Sequence, residues 1–268
     1  MKALILCAAL LSSSPLYAAQ LLIDLGLDSR TWQTEELLKH PEARDIRIKD
    51  DVSYKREMQY RAVPMAALLK GLKAEDHLQA VALDGFAAEL NAAPLLNRKG
   101  AQAWLAIEDP DKPWPSLAAD KPSAGPFYLV WSNPAAGHIS PEQWPFQVAR
   151  IQRLAPVAER FPALGPDPKL AVDDPVNQGF ALFQKNCLAC HRLNGAGDSQ
   201  FGPDLNIPYN PTEYFGSDFL KRYIRDPQSL RRWPQAKMPG FSNSVLPDGE
   251  LELLLEYLRH MAGRKQIP

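Results

Sequence analysis

The sequence predicts two domains of different class, an α+β domain followed by an all-α domain. Three observations carry this. Apolar residues alternate with polar ones at Ile46 and Ile48 and again at Met58, Tyr60 and Ala62, the period of a half-buried strand. Leu251, Leu254, Leu255 and Leu258 instead fall at i, i+3, i+4 and i+7, one face of a helix. Between the two patterns stand five prolines, Pro156, Pro162, Pro166, Pro168 and Pro175, too dense for the interior of a sheet or helix. The 268 residues suit one large or two modest domains, and 46% apolar with 23% charged residues is globular composition.

Charge narrows the function. Thirty Lys and Arg against 31 Asp and Glu leave a net charge of −1, without the basic excess of a nucleic-acid binder. Three cysteines are too few for a disulfide-stapled scaffold.

Met1-Lys2 and the apolar residues 3–11 open the chain, Ser12-Ser13-Ser14-Pro15 break the run, and Tyr17-Ala18-Ala19 follow. Residues 1–19 read as a cleaved signal peptide, and Cys7 leaves with it. The run is too short to span a bilayer, and no later run is long enough. The mature protein is expected in the periplasm, with no membrane span.

Residues 20–154 read as the α+β domain. Pro64 opens a short helix over residues 65–70, closed by Gly71. Trp104-Leu105-Ala106-Ile107 and Phe127-Tyr128-Leu129-Val130-Trp131 are continuous apolar runs, as buried strands are, and Val148, Ile151 and Leu154 mark another strand. Residues 155–173 read as a semi-rigid proline-rich linker. Residues 174–268 read as helices joined by long loops. Asp174 is placed to cap a helix that starts at Pro175 and runs toward Asn186. Ser217 and Asp248 are placed to cap two more, and Gly263 stops the last.

The string that carries chemistry is Cys187-Leu188-Ala189-Cys190-His191. Two thiols three positions apart can add across the two vinyl groups of a haem, and the histidine of the same turn then reaches the iron. A zinc site would want a second ligand pair, and only His260 follows His191. A redox dithiol would sit beside a βαβ pattern, which this helical segment lacks. The sixth iron ligand comes from elsewhere. Met238 lies in the proline-bounded Lys237-Met238-Pro239-Gly240-Phe241, off any apolar helix stripe. Its rivals are Met261, where helix packing accounts for the residue, and His260, at a helix end.

Residues 174–268 resemble a class I c-type cytochrome domain. Gly179 and Phe183 precede Cys187 by eight and four positions, and Tyr257 stands on the last helix. The resemblance implies that the glycine lets the first and last helices cross closely, with aromatics packed at the crossing. It implies that Pro203, in Phe201-Gly202-Pro203-Asp204-Leu205, offers its carbonyl to the other ring nitrogen of His191. It also implies one covalently attached haem c held by Cys187 and Cys190, with iron ligated by His191 and Met238.

Tyr54-Lys55-Arg56-Glu57-Met58-Gln59-Tyr60-Arg61-Ala62-Val63-Pro64-Met65, with Leu68-Leu69, resembles the start of a sulfite-oxidase-type molybdopterin domain. Ala82-Leu83-Asp84-Gly85-Phe86 and Gly125-Pro126-Phe127-Tyr128-Leu129-Val130-Trp131 are similar to later strands of that fold. That family anchors molybdenum through a cysteine thiolate, and this chain has no cysteine between Ala8 and Asn186. The expectation is therefore a retained scaffold without a molybdenum cofactor. His138 reads as an exposed turn residue, His40 and His77 lack partners at metal-ligand spacing, Trp114 and Trp144 read as packing wedges, and Glu35-Glu36 and Asp50-Asp51 as solvated surface.

The expected function is one-electron transfer, with the first domain as a docking scaffold. This is the role of an electron-transfer protein more than of an enzyme in its own right. The alternative is a haem-containing oxidoreductase, or subunit of one, whose first domain oxidises or senses a small molecule. Lys221, Arg222, Arg225, Arg231, Arg232 and Lys237 are opposed in their stretch only by Asp226, which suits an acidic redox partner.

Overall fold

The computed structural model describes residues 19–26, 28–199, 201–230, 232 and 238–266. The leader up to residue 18, and Arg231 and Lys237 of the basic stretch, lie outside the described residues.

The N-terminal region is a sheet-rich α+β domain. Its strands are β1 (Gln20–Asp24), β2 (Ser29–Gln33), β3 (Arg44–Ile48), β4 (Met58–Pro64), β5 (His77–Ala82), β6 (Ala87–Asn91), β7 (Gln102–Ile107), β8 (Phe127–Ser132) and β9 (Val148–Leu154). Three short helices, α1 (Thr34–Leu38), α2 (Met65–Leu68) and α3 (Ala92–Leu95), stand between them. One sheet has the order β2-β1-β9-β5-β6 and the other β3-β4-β7-β8. All pairings are antiparallel except β1 with β9. β7 and β8 are buried almost throughout, which is why their sequences run apolar without alternation. Exposed β3 keeps the polar alternation of a half-buried strand. Trp131, Tyr128 and Phe127 fill the core, Trp144 is buried in it, and Trp114 packs at its margin.

Three local readings are corrected. Leu83-Asp84-Gly85 is the turn joining β5 to β6, not strand: Asp84 Oδ1 accepts the Phe86 N–H at 3.0 Å and Gly85 takes a φ of +90°. Asp51 is 2% exposed, not solvated. Its Oδ2 accepts the Tyr60 hydroxyl at 2.7 Å, and its Oδ1 accepts Tyr128 Oη at 3.2 Å and the Ser53 and Tyr54 amides at 2.9 and 2.8 Å. Burial, then this carboxylate, pushes both phenols far above the ordinary tyrosine range. Ser217 and Asp248 begin their helices as first helical residues, and Gly216 and Pro247 hold the cap positions. The Asp248 carboxylate is instead drawn to Arg225 Nη2 at 2.6 Å.

The second domain is helical. α4 (Val157–Arg160) precedes α5 (Pro175–Asn186), followed by α6 (Pro211–Tyr214), α7 (Ser217–Arg225), α8 (Pro227–Leu230) and α9 (Asp248–Ala262). Asp174 Oδ1 caps α5 through the Val176 N–H at 2.9 Å, and Pro175 sits in its first turn. The proline-rich stretch is packed and differs from a free spacer. Val157 and Leu164 are buried in the second core, and the Leu164 carbonyl accepts the Tyr257 hydroxyl at 2.8 Å. Prolines break the helix here but leave apolar residues free to dock between them.

α5 crosses α9 at Gly179. A β-carbon there would lie 2.1 Å from the Leu253 carbonyl oxygen and 2.7 Å from Tyr257 Cβ. Tyr257 fills the crossing, its ring 5.4 Å from that of Phe180 and 5.3 Å from that of Phe183. Gly179→Ala is therefore expected to cost about 1–3 kcal/mol, because neither helix backbone can move aside alone. Gly249, in the first turn of α9, has open space where its β-carbon would be, and Gly249→Ala is expected to be neutral or mildly stabilising. Chemical denaturation of the two variants checks the contrast.

Candidate functional site

The site grows from the end of α5. Cys187 is the residue that ends the helix, its N–H still bonded to the Phe183 carbonyl at 2.9 Å. The chain continues in one tight turn, with Cys190 N–H and His191 N–H both donating to the Cys187 carbonyl, at 3.0 and 2.8 Å. Leu188 and Ala189, between the thiols, are buried, while Cys187, Cys190 and His191 stay partly accessible. One turn thus presents two free thiols and an imidazole together.

His191 Nδ1 lies 2.9 Å from the Pro203 carbonyl oxygen. A carbonyl only accepts, so Nδ1 carries the proton and Nε2 keeps its lone pair. Burial lowers the imidazole pKa and the Pro203 bond partly opposes it, so at neutral pH the ring is the neutral form a metal requires. Burial pushes the Cys190 thiol up to about 12 and raises Cys187 as well, with the Glu142 carboxylate adding to both. Glu142 itself is pushed up to about 7 by burial. It comes from the turn Pro141–Gln143 of the N-terminal domain, and nothing in its sequence surroundings marks it.

The carbonyl of Pro203 is held by a rigid loop. Gly202 N–H donates to the Cys190 carbonyl at 2.7 Å, and a β-carbon on Gly202 would stand 2.5 Å from His191 Cε1 and 2.6 Å from Nδ1. Only glycine lets the loop lie this close to the imidazole, a requirement the resemblance did not bring out. Asp204 accepts the amides of Asn194, Gly195, Asn206 and Ile207 at 3.2, 2.6, 2.8 and 2.9 Å. Asn206 and Asn210, both fully buried, donate to the Met261 and Leu258 carbonyls at 2.7 and 3.0 Å and so satisfy the last turn of α9.

Met238 packs, half-buried, on the same core cluster as Cys187 and Leu188. The chain after it is clamped to the end of α7. Phe241 N–H donates to the Ile224 carbonyl at 3.0 Å, and Arg225 Nη1 donates to the Phe241 and Leu246 carbonyls at 2.8 and 2.5 Å. A β-carbon on Gly240 would lie 2.5 Å from the Arg225 carbonyl oxygen. The rival ligands are engaged elsewhere. His260 Nε2 accepts the Asp167 N–H at 3.1 Å, and Met261 is buried in the core of α9.

The remaining sequence candidates fall as follows. Lys221 is ion-paired with Glu252 and Arg225 with Asp248, whereas Arg222 and Arg232 are exposed, with Arg222 5.9 Å from the centre of the Phe219 ring. His138 is exposed in the left-handed conformation, and its carbonyl accepts Lys185 Nζ at 2.6 Å. His40 stands edge-on to Trp32, and His77 pairs with Glu89 at 2.5 Å. Among the described residues no group of three His, Cys, Asp or Glu side chains is placed to hold a metal ion.

The residues at the pentapeptide fit a covalent haem. The thiols are free, the imidazole is held in the tautomer that leaves Nε2 open, and Arg192 Nε, immediately after His191, is buried without a partner, a donor suited to an anionic group. Residues 176–262 match the cytochrome c family, so the C-terminal region carries a cytochrome c domain, an electron-transfer module with covalently bound haem c. Among solved structures, the sulfane dehydrogenase SoxCD from Paracoccus pantotrophus is similar over 50% of this chain, at 17% identity and a TM-score of 0.34. The match spans 38% of the length of that protein. A search among curated proteins finds no match.

Gly202→Val is expected to push the imidazole off the Pro203 carbonyl and lower the yield of haem-bearing protein several-fold. Gly216→Ala, where the added carbon meets open space, is expected to leave it unchanged. Haem absorbance per polypeptide in the two purified variants gives the comparison.

Proposed function

We propose that this chain is a periplasmic monohaem c-type cytochrome that carries one electron at a time between redox partners, with the N-terminal domain as its docking scaffold. The observation that carries the reading is the 2.9 Å bond from His191 Nδ1 to the Pro203 carbonyl, which leaves Nε2 free beside two thiols of the same turn. Cys187 and Cys190 would hold the haem covalently, each thiol adding its S–H across one vinyl group. His191 would give Nε2 to iron and Met238 its thioether sulfur, a soft neutral ligand that favours the reduced metal. Bound haem c supplies the one-electron couple. Bound haem would have its iron held by two side chains of this chain, His191 and Met238, which favours transfer over catalysis. Export fits the leader pattern of residues 1–19, and among the described residues no helix is long and apolar enough to cross a membrane. No thiolate is available between Ala8 and Asn186 to anchor molybdenum, which supports a scaffold role for the first domain.

The haem is expected to stay with the polypeptide in denaturing electrophoresis, and Cys187→Ala with Cys190→Ala to abolish that. The ferric protein is expected to show the weak far-red band of an iron–thioether bond, lost in Met238→Ala and kept in Met261→Ala. Covalent haem surviving the double cysteine change would sink the assignment.

The partner is proposed to be acidic and to dock near the stretch of sequence that carries Lys221, Arg222, Arg225, Arg231, Arg232 and Lys237. Arg222 and Arg232 are its exposed described charges, while Lys221 and Arg225 are committed to pairs within the domain. Steering by such charges is screened within about 8 Å at physiological salt. The second-order rate with an acidic partner is expected to fall as salt rises. Arg222→Glu with Arg232→Glu is expected to slow it at low salt without altering the haem spectrum. Stopped-flow rates indifferent to both would leave the stretch as ordinary surface.

A further inference from the structure

The loop that holds His191 is fastened both by the N-terminal domain and by Arg160 of the connecting stretch. Asp198 Oδ2 accepts Gln79 Nε2, on β5, at 2.6 Å and Arg160 Nη1, on α4, at 2.9 Å. Arg160 Nη2 reaches Glu89 Oε1, on β6, at 2.6 Å, and Gln79 Nε2 also donates to that oxygen at 2.8 Å. Gln152 Nε2, on β9, donates to Gln79 Oε1 at 2.9 Å and so fixes its amide. Next along the loop, the Phe201 ring lies 6.3 Å from that of Phe86, in the turn joining β5 to β6. Immediately after it come Gly202, packed against the imidazole, and Pro203, whose carbonyl accepts His191 Nδ1.

We infer that the N-terminal domain sets the strength of the His191–Pro203 hydrogen bond, and through it the haem reduction potential, by pinning Asp198 and Phe201. The inference rests on the electron-transfer reading above. Gln79 and Arg160 are positioning residues. They act on the proximal histidine through the loop, whose far end Asp204 ties to its own domain. With both ends fixed, the Pro203 carbonyl cannot drift from Nδ1. A firmly accepted Nδ1–H makes Nε2 a more basic ligand, which favours ferric iron. Releasing Asp198 loosens the carbonyl, weakens that donation and shifts the balance toward ferrous. By linkage, whatever displaces the N-terminal domain acts on the haem in the same direction.

The test uses the full-length, haem-loaded chain. Asp198→Ala changes a residue whose side chain is 44% exposed, which the fold tolerates, and Arg160→Ala removes the other partner. Arg160→Lys is the rescue. Arg153→Ala is the control, since it breaks the 2.7 Å pair with Asp76 on the same sheet without touching the loop. Redox titration reads the midpoint potential, and the His191 ring-proton resonances of the ferric protein report the hydrogen bond. Asp198→Ala and Arg160→Ala are each expected to shift the equilibrium about threefold to tenfold toward ferrous, tenfold being 59 mV for a one-electron couple. Both are expected to move the His191 resonances. Arg160→Lys is expected to recover most of the shift, and Arg153→Ala to stay at the parent value. Unchanged potential and resonances in Asp198→Ala, with covalent haem retained, overturn the inference and leave the electron-transfer reading standing. Absence of covalent haem from the parent chain overturns both.

Discussion

A single hydrogen bond organises the second domain. The bond from His191 Nδ1 to the Pro203 carbonyl selects the tautomer and aims Nε2 away from the loop, while burial, which outweighs the opposing pull of that carbonyl, keeps the ring neutral. Everything around it serves to keep one carbonyl in one place. Gly202 removes the side chain that would part loop from ring. Asp204 ties four loop amides to one carboxylate. Asn206 and Asn210 bind the same loop to the end of α9, where the free carbonyls of a helix terminus need donors anyway. The loop's asparagines thus supply the donors that the helix end lacks.

That arrangement requires α9 to be fixed relative to α5, since α5 delivers the thiols and α9 anchors the loop. The crossing at Gly179 provides it, with backbone against backbone and Tyr257 between Phe180 and Phe183. The proline-rich stretch then bonds the Tyr257 hydroxyl through Leu164. The packing that determines the domain's stability and the geometry that determines its chemistry are therefore one set of contacts.

The sequence was legible where chemistry or periodicity is local. Cys187, Cys190 and His191 declare themselves because one helical turn must carry all three, and β4, β7, β8 and β9 show in apolar spacing. What could not be read depends on distant partners. Asp51 looks like surface beside Asp50, yet it is buried because Tyr60 on β4 and Tyr128 on β8, two strands of one sheet with β7 between them, converge on it. Leu83-Asp84-Gly85 reads as strand by its resemblance to strands of the sulfite-oxidase-type fold, but an Asp-Gly pair makes a turn once β5 and β6 pair antiparallel. Glu142 and Gly202 were invisible as site residues, because their roles exist only when another segment lies against them. Lys221 and Arg225 likewise counted as free charges until α9 supplied Glu252 and Asp248.

The contact between the domains includes a buried polar network, and that choice has consequences. Glu89 is 8% exposed and has three partners, His77, Gln79 and Arg160. A buried carboxylate is tolerated when its partners are in place and becomes costly, by about 3–5 kcal/mol, when one is removed. An apolar contact would tolerate sliding, whereas these bonds accept one arrangement, because Arg160 must face Glu89 and Asp198 together. Arg160 belongs to the connecting stretch, so the segment that links the two domains also locks them. The Arg160 guanidinium, bonded also to the Ala155 carbonyl, stands between the sheet and the histidine loop, beside the direct bond from Gln79 to Asp198.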